Sequence, residues 1–119
     1  MKEARAILRN ARVSLKHALV LTKKLKGMKV EKAEKFLNDL LNQRVSINGK
    51  YYTKTTKTIL NLLKSAKANA LKKDMDEKKL FIKLIKADKG ETLILGKTRA
   101  KFANRRGKST HLIIILGER

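Results

Sequence analysis

The sequence predicts an α+β domain: three helices packed on a small antiparallel sheet, with a long basic β-hairpin protruding from it. Three observations carry this. Three stretches before Asp74 repeat apolar residues at helical spacing. Two short Ile- and Leu-rich runs, 80–87 and 112–116, have the length and composition of strands. Between those runs the chain is basic, with no acidic residue from Thr92 to Gly117. At 119 residues, 42% of them hydrophobic, the chain is read as one domain (1–119) with a modest core. The globular body takes about 1–88 and 109–119, and the hairpin arm takes about 89–108.

The elements follow in order. Residues 3–13 mix small, apolar and basic side chains without a helical period, which reads as an extended segment or strand. Ser14 is placed to cap a helix, because its hydroxyl can accept from an early helical N–H. Leu15, Ala18, Leu19, Thr22 and Leu25 then form the expected inward stripe, and Gly27 closes the helix as a left-handed residue. A second helix fits Val30 to about Asn42, with Val30, Ala33, Leu37, Leu40 and Leu41 apolar and Glu31–Lys35 as an i,i+4 pair. Arg44 to Tyr52 connects onward, with Asn48-Gly49 as its turn. The longest helix is expected from about Thr53 to Lys72, burying Ile59, Leu63, Ala66 and Ala70. Asp74-Met75-Asp76 ends it.

The arm is defined by what it lacks. Lys97, Arg99, Lys101, Arg105, Arg106 and Lys108 line it, punctuated by Gly96 and Gly107, so packing cannot hold it from within. Something outside the domain must.

Charge says what that is. The chain has 31 Lys+Arg against 10 Asp+Glu, a net +21. A domain of this size repels itself at that charge unless a polyanion neutralises it. The signs are also segregated. Eight basic and no acidic residues lie between Leu40 and Lys73, and nine basic residues precede Glu31 against Glu3 alone. Acids collect on the second helix (Glu31, Glu34, Asp39) and at Asp74, Asp76 and Glu77, so that side is expected to face away from the polyanion. Any single lysine reads as a solvated charge; the ensemble reads as nucleic-acid contact.

Several classes are excluded or disfavoured. Cysteine is absent, which removes disulfides, thiolate nucleophiles and cysteine zinc sites. No apolar run approaches the roughly 18 residues that span a bilayer, and the N-terminus lacks the apolar stretch of a secretory signal. A cytoplasmic protein without membrane insertion is expected. His17 reads as a polar surface group rather than a catalytic base, and His111 as a residue packed or hydrogen-bonded at a sheet edge. Their spacing suggests no shared metal. Asp74, Asp76 and Glu77 lack the ligand order of a cation loop. Ser109-Thr110-His111 has no acid placed to orient the imidazole. Gly90 and Gly96 lack the partners of a phosphate loop. No catalytic residue, metal, cofactor or small-molecule substrate is expected.

The aromatic residues are few: Phe36, Tyr51, Tyr52, Phe81 and Phe102. They form no stacking platform for single strands. Phe102 has two readings, stacking on a base or guanidinium, or anchoring the arm locally. Lysine and arginine without a base-reading module imply backbone contacts and shape recognition of folded RNA.

The residues then become specific. Ser14-Leu15-Lys16-His17-Ala18 with Lys26-Gly27-Met28-Lys29-Val30-Glu31-Lys32-Ala33-Glu34 resembles the first two helices of large-subunit ribosomal protein family twenty-two. Leu63-Lys64-Ser65-Ala66-Lys67-Ala68-Asn69-Ala70 is similar to its third helix. Arg99-Ala100-Lys101 and Ser109-Thr110-His111-Leu112-Ile113-Ile114-Ile115 are similar to its hairpin tip and returning strand. The matches keep their order over nearly the whole chain, and the segment after Lys26 leans to the archaeal and eukaryotic branch. Leu15 stands where the family often has proline, the connection before the third helix is short, and Thr98 and Phe102 stand near a usual proline and glycine.

The resemblance implies a structural constituent of the large ribosomal subunit, with its body at the surface and its hairpin lining the polypeptide exit tunnel. The expected partners are large-subunit rRNA, neighbouring large-subunit ribosomal proteins and the nascent polypeptide at the tip. The expected rRNA-binding residues are Arg5, Arg9, Arg12, Lys16, His17, Lys26, Lys29, Lys54, Lys64, Lys67, Lys97, Arg99, Lys101, Arg105, Arg106 and Lys108. The tip is Thr98, Arg99, Ala100, Lys101 and Phe102. A DNA-compacting or other architectural nucleic-acid-binding protein also accounts for +21, but leaves these matches as coincidence. A membrane-active protein would need a large aromatic-bearing amphipathic face, and a nuclease a convergent acid cluster or paired histidines.

Overall fold

A computed structural model describes residues 3–47, 49–90, 93–94, 106–107 and 109–118, with 93–94 and 106–107 described through their backbone alone. The chain runs β1 (Glu3–Ala11), α1 (Leu15–Leu25), α2 (Val30–Leu41), α3 (Thr53–Lys72), a 3-10 turn (Glu77–Lys79), β2 (Leu80–Lys89), β3 (Leu93–Ile94), β4 (Arg106–Gly107) and β5 (Thr110–Glu118). The expected α+β class holds. β1, β5 and β2 form an antiparallel sheet with β5 in the centre.

One face of the sheet carries the helices. Ala4 and Ala6 of β1, Ile82, Ile85 and Ala87 of β2, and Leu112, Ile114 and Leu116 of β5 are buried on it. Alanine on β1 leaves room for α3 to lie close, as the alanines at 66 and 70 do from the helix side. α3 supplies Ile59, Leu63, Ala66 and Ala70, all fully buried as the spacing predicts. α2 covers α3 with Val30, Ala33, Leu37 and Leu40, also fully buried, while Leu41 is only partly so.

α1 departs from the expected stripe. Leu21 is fully buried and Leu19 is 49% exposed. At about 100° per residue, Leu21 lies nearer the centre of the Ala18–Thr22–Leu25 face than Leu19 does. The pair Glu31–Lys35 is likewise not among the ion pairs of the described residues; α2 pairs through Glu34 instead.

The ends are made as the residue types demand. The Ser14 side chain accepts from the His17 N–H at 3.4 Å, and Gly27 has φ +82°. The Ile47 N–H and C=O both bond to Lys50, at 2.9 and 3.0 Å, around Gly49 at φ +79°. Asn48 lies outside the described residues. Asp74 takes φ +57° after α3, Met75 is buried, and the Asp76 carboxylate accepts from the Lys78 N–H at 3.0 Å before β2 begins.

Both outer strands have part of their edges capped, which shortens the free edge that could template aggregation. On β1, Asn69 donates to the Arg5 carbonyl at 3.0 Å and Lys73 to the Glu3 carbonyl at 2.8 Å. On β2, the turn between α1 and α2 docks by bonds from Gly27 N–H to the Ile82 carbonyl and from Ile82 N–H to the Met28 carbonyl.

Candidate nucleic-acid interface

The ladder between β2 and β5 ends at Lys89↔Thr110, and the chain around that point is tightly tied. The Gly90 N–H donates to the Ser109 carbonyl at 2.9 Å, and the Ser109 hydroxyl donates to Asn10 Oδ1 at 3.1 Å. A Cβ on Gly90 would lie 2.6 Å from the Ser109 hydroxyl and 2.9 Å from Asn10 Oδ1, so any larger residue would push apart the Ser109–Asn10 hydrogen bond. Asn10, at φ +54° in the bulge of β1, donates its N–H to Nδ1 of His111 at 3.0 Å, and Thr110 donates to the Val13 carbonyl at 2.9 Å. His111 therefore sits in the central strand, not at a sheet edge as its position suggested. Beyond this knot, Leu93 pairs with Gly107 and Ile94 with Arg106 in antiparallel register.

Beside the knot opens a cavity of about 710 Å³. Arg12, Lys16, Lys54 and Lys89 line it, with Ser14 and Ser109. Four segments bring these cations together: the end of β1, the first turns of α1 and α3, and the end of β2. The start of α1 adds the partial positive charge of its free N–H groups. His17 packs its ring edgewise on Tyr52, centroids 4.9 Å apart at 66°, which ties α1 to the start of α3 and so Lys16 to Lys54. Among the described lining residues these four cations meet no carboxylate, an arrangement with the charge that phosphate oxygens would need.

The other expected contact residues are dispersed. Arg5 and Arg9 are exposed on the sheet face away from the helices, Lys26 and Lys29 at the far end of α1, and Lys64 on α3. Lys67 is turned inward. Its ammonium meets Glu77 at 2.7 Å and Glu34 at 3.4 Å, joining α2, α3 and the 3-10 turn. Lys97, Thr98, Arg99, Ala100, Lys101, Phe102, Arg105 and Lys108 lie outside the described residues, and so does the side chain of Arg106. Lys89 and Ser109 also line the cavity although neither is among the expected contact residues, Ser109 having been weighed only as a nucleophile and as part of the returning strand. The β2–β5 register brings them to the cavity, and only the length of each strand could have signalled it.

The Lys67 cluster gives a pH-dependent expectation. The hydrogen bond to Glu77 is the main reason its pKa is raised above the ordinary lysine value, helped by the charges of Glu34 and Glu77 against a desolvation cost. A raised lysine pKa contributes stability that is complete below the unfolded value and lost as pH climbs through the folded one. Replacing Lys67→Met should lower stability by about 1 kcal/mol or less near pH 7. Melting temperatures of the two proteins should converge above the raised pKa, and a gap that persists there would contradict the assignment.

Among the described residues no group of three or more His, Asp or Glu is placed to hold a metal ion, and no helix is long and apolar enough to cross a membrane. Every buried side-chain N or O atom among them has a hydrogen-bond partner.

Residues 6–117 match the family model described as Ribosomal protein L22p/L17e. The chain belongs to this family. A relative from Methanocaldococcus jannaschii, named large ribosomal subunit protein uL22, is 34% identical over 142 aligned positions, covering 98% of this chain and 88% of the relative. Proteins of the same name from Methanococcus aeolicus and Methanococcus maripaludis are 30% and 32% identical, covering 98% and 97% of this chain and 90% and 89% of theirs. The archaeal leaning of the residues after Lys26 agrees with these sources. The 142 aligned positions exceed the 119 residues present, so the first relative has insertions that this chain lacks.

Proposed function

We propose that this chain is a structural, non-catalytic protein of the large ribosomal subunit that organises rRNA around the root of its arm and lines the exit tunnel with the arm's tip. Family membership supports the place in the subunit. The observation that carries the RNA reading is the convergence of Arg12, Lys16, Lys54 and Lys89 on one cavity beside Gly90 and Ser109. A phosphate seated there would fix the body just where β2 ends and β5 begins. The antiparallel β3–β4 pair supports continuation of the chain as a hairpin. At about 3.3 Å per residue, ten residues a side reach on the order of 30 Å from the body. Thr98, Arg99, Ala100, Lys101 and Phe102 then form the tip beside the nascent polypeptide, with Lys97, Arg105, Arg106 and Lys108 on RNA along the way.

The test combines deletion with crosslinking. Removing residues 97–106 should leave the body folded and able to join the subunit, less tightly. In the intact protein, crosslinkers at Arg99 and Lys101 should reach rRNA or a stalled nascent chain, and hydrogen exchange at 90–108 should slow on ribosome binding. Absence of any adduct to RNA or nascent chain would overturn the tunnel assignment. Equal affinity for duplex DNA and large-subunit RNA at matched salt would favour a general architectural protein instead.

A further inference from the structure

The sheet face opposite the helices carries charged residues at its margins and an apolar strip across its middle, where a solvated face would present polar side chains. The register sets out its pattern. Ile7 of β1 lies beside Ile113 of β5, and Ile115 of β5 lies beside Leu84 of β2. Phe81 pairs with Gly117, and a Cβ on that glycine would meet the ring at 3.1 Å, so the ring lies over it. A diagonal apolar strip thus crosses all three strands, with Ile7 48% and Leu84 36% exposed. Helix packing does not need this strip, since the sheet's other face supplies the core.

The charges beside the strip divide into two kinds. Lys83 is paired with Glu3 and Lys86 with Asp88. Arg5, opposite Ile115, and Arg9 are exposed, and neither forms an ion pair with a described residue. RNA would use the two arginines but gain little from a strip of isoleucine and leucine, whereas protein interfaces bury apolar centres inside charged rims.

We infer that this face docks a protein segment that presents apolar side chains flanked by carboxylates. The apolar side chains cover Ile7, Ile113, Ile115 and Leu84, and the carboxylates meet Arg5 and Arg9. The size of the strip narrows the partner further. Three strands about 4.8 Å apart and some six residues of length give on the order of 300 Å². A free-standing complex buries about 800 Å² per partner. The occupant is therefore a protein held in place by other contacts as well, as a neighbour on a shared RNA scaffold is. This last step rests on the ribosomal reading above; the apolar strip does not.

Photocrosslinking in assembled large subunits tests it, with p-benzoylphenylalanine placed at Ile7 in one protein and at Lys16 in another. Position 7 should give a ribonuclease-resistant adduct with a different protein, and the crosslinked peptide should contain apolar residues with Asp or Glu close by. Position 16, at the cavity, should give an RNA adduct. An adduct from position 7 to RNA, to a second copy of this chain or to its own 89–108 segment overturns the inference. So does the absence of a protein adduct there while position 16 reaches RNA. Failure at position 16 alone counts against the RNA reading and leaves the face intact. A second arm uses Ile7→Gln and Leu84→Gln, exposed strip positions whose replacement leaves the net charge unchanged. Each should lower retention of the crosslinked neighbour severalfold in salt-washed subunits while the free chain's affinity for rRNA changes less than twofold. Unchanged retention in both variants would also overturn the inference.

Discussion

Leu63→Asp should abolish soluble folded protein. Leu63 is fully buried in α3, the helix that lies between the sheet and α2, so one carboxylate there faces apolar neighbours on both sides. Burying an unpaired charge or polar group costs several kcal/mol. Domains of this size have about 5–15 kcal/mol of stability in total, and a net charge of +21 lowers what is available in the absence of RNA. Circular dichroism and size-exclusion chromatography would check the outcome. Glu31→Ala is the control, an exposed α2 position with no ion pair among the described residues, and should change stability by less than about 0.5 kcal/mol. Glu34→Ala is the poorer control, because Glu34 meets Lys67. A Leu63→Asp protein with full helical signal would show that α3 does not pack through this face.

The second large effect is on RNA binding. Changing Arg12, Lys16, Lys54 and Lys89 together to Gln should leave the fold intact, since all four side chains are exposed. Each phosphate contact contributes roughly 0.7–0.9 to the slope of log affinity against log salt. Loss of four should flatten that slope by about 3 and weaken binding to large-subunit rRNA by two or more orders of magnitude at low salt. The same number of changes at Lys23, Lys24, Lys57 and Lys72, exposed lysines away from the cavity, should cost much less. Equal losses in the two sets would mean that the cavity is no focus and that diffuse charge alone binds RNA.

How far the sequence could be read depended on the range of the interactions involved. α3 was legible to its ends because 20 residues of helical period, closed by Asp74 and Asp76, leave little choice of phase. The 11-residue α1 offers two overlapping stripes, one through Leu19 and one through Leu21, and packing on β2, which the sequence does not show, selects the second. The segregation of charge told of a polyanion, yet it could not separate cations that converge from cations already engaged. Arg12, Lys16 and Lys54 meet because the end of β1 and two helix starts come together, and Lys89 joins them through strand register. Lys67, an ordinary lysine by its neighbours in sequence, is taken up by carboxylates 33 residues before and 10 residues after it. The outer sheet face was hidden for the same reason. Ile7 and Leu84 become near neighbours only when β5 is inserted between β1 and β2.

The most direct test of the central claim is sedimentation of the tagged chain with ribosomes on a sucrose gradient, before and after ribonuclease treatment. The chain should travel with the large subunit at physiological salt and return to the top of the gradient once the rRNA is cut. A chain that stays at the top with intact subunits, or that remains on a large protein assembly after complete digestion of the RNA, would contradict its placement as an rRNA-held constituent.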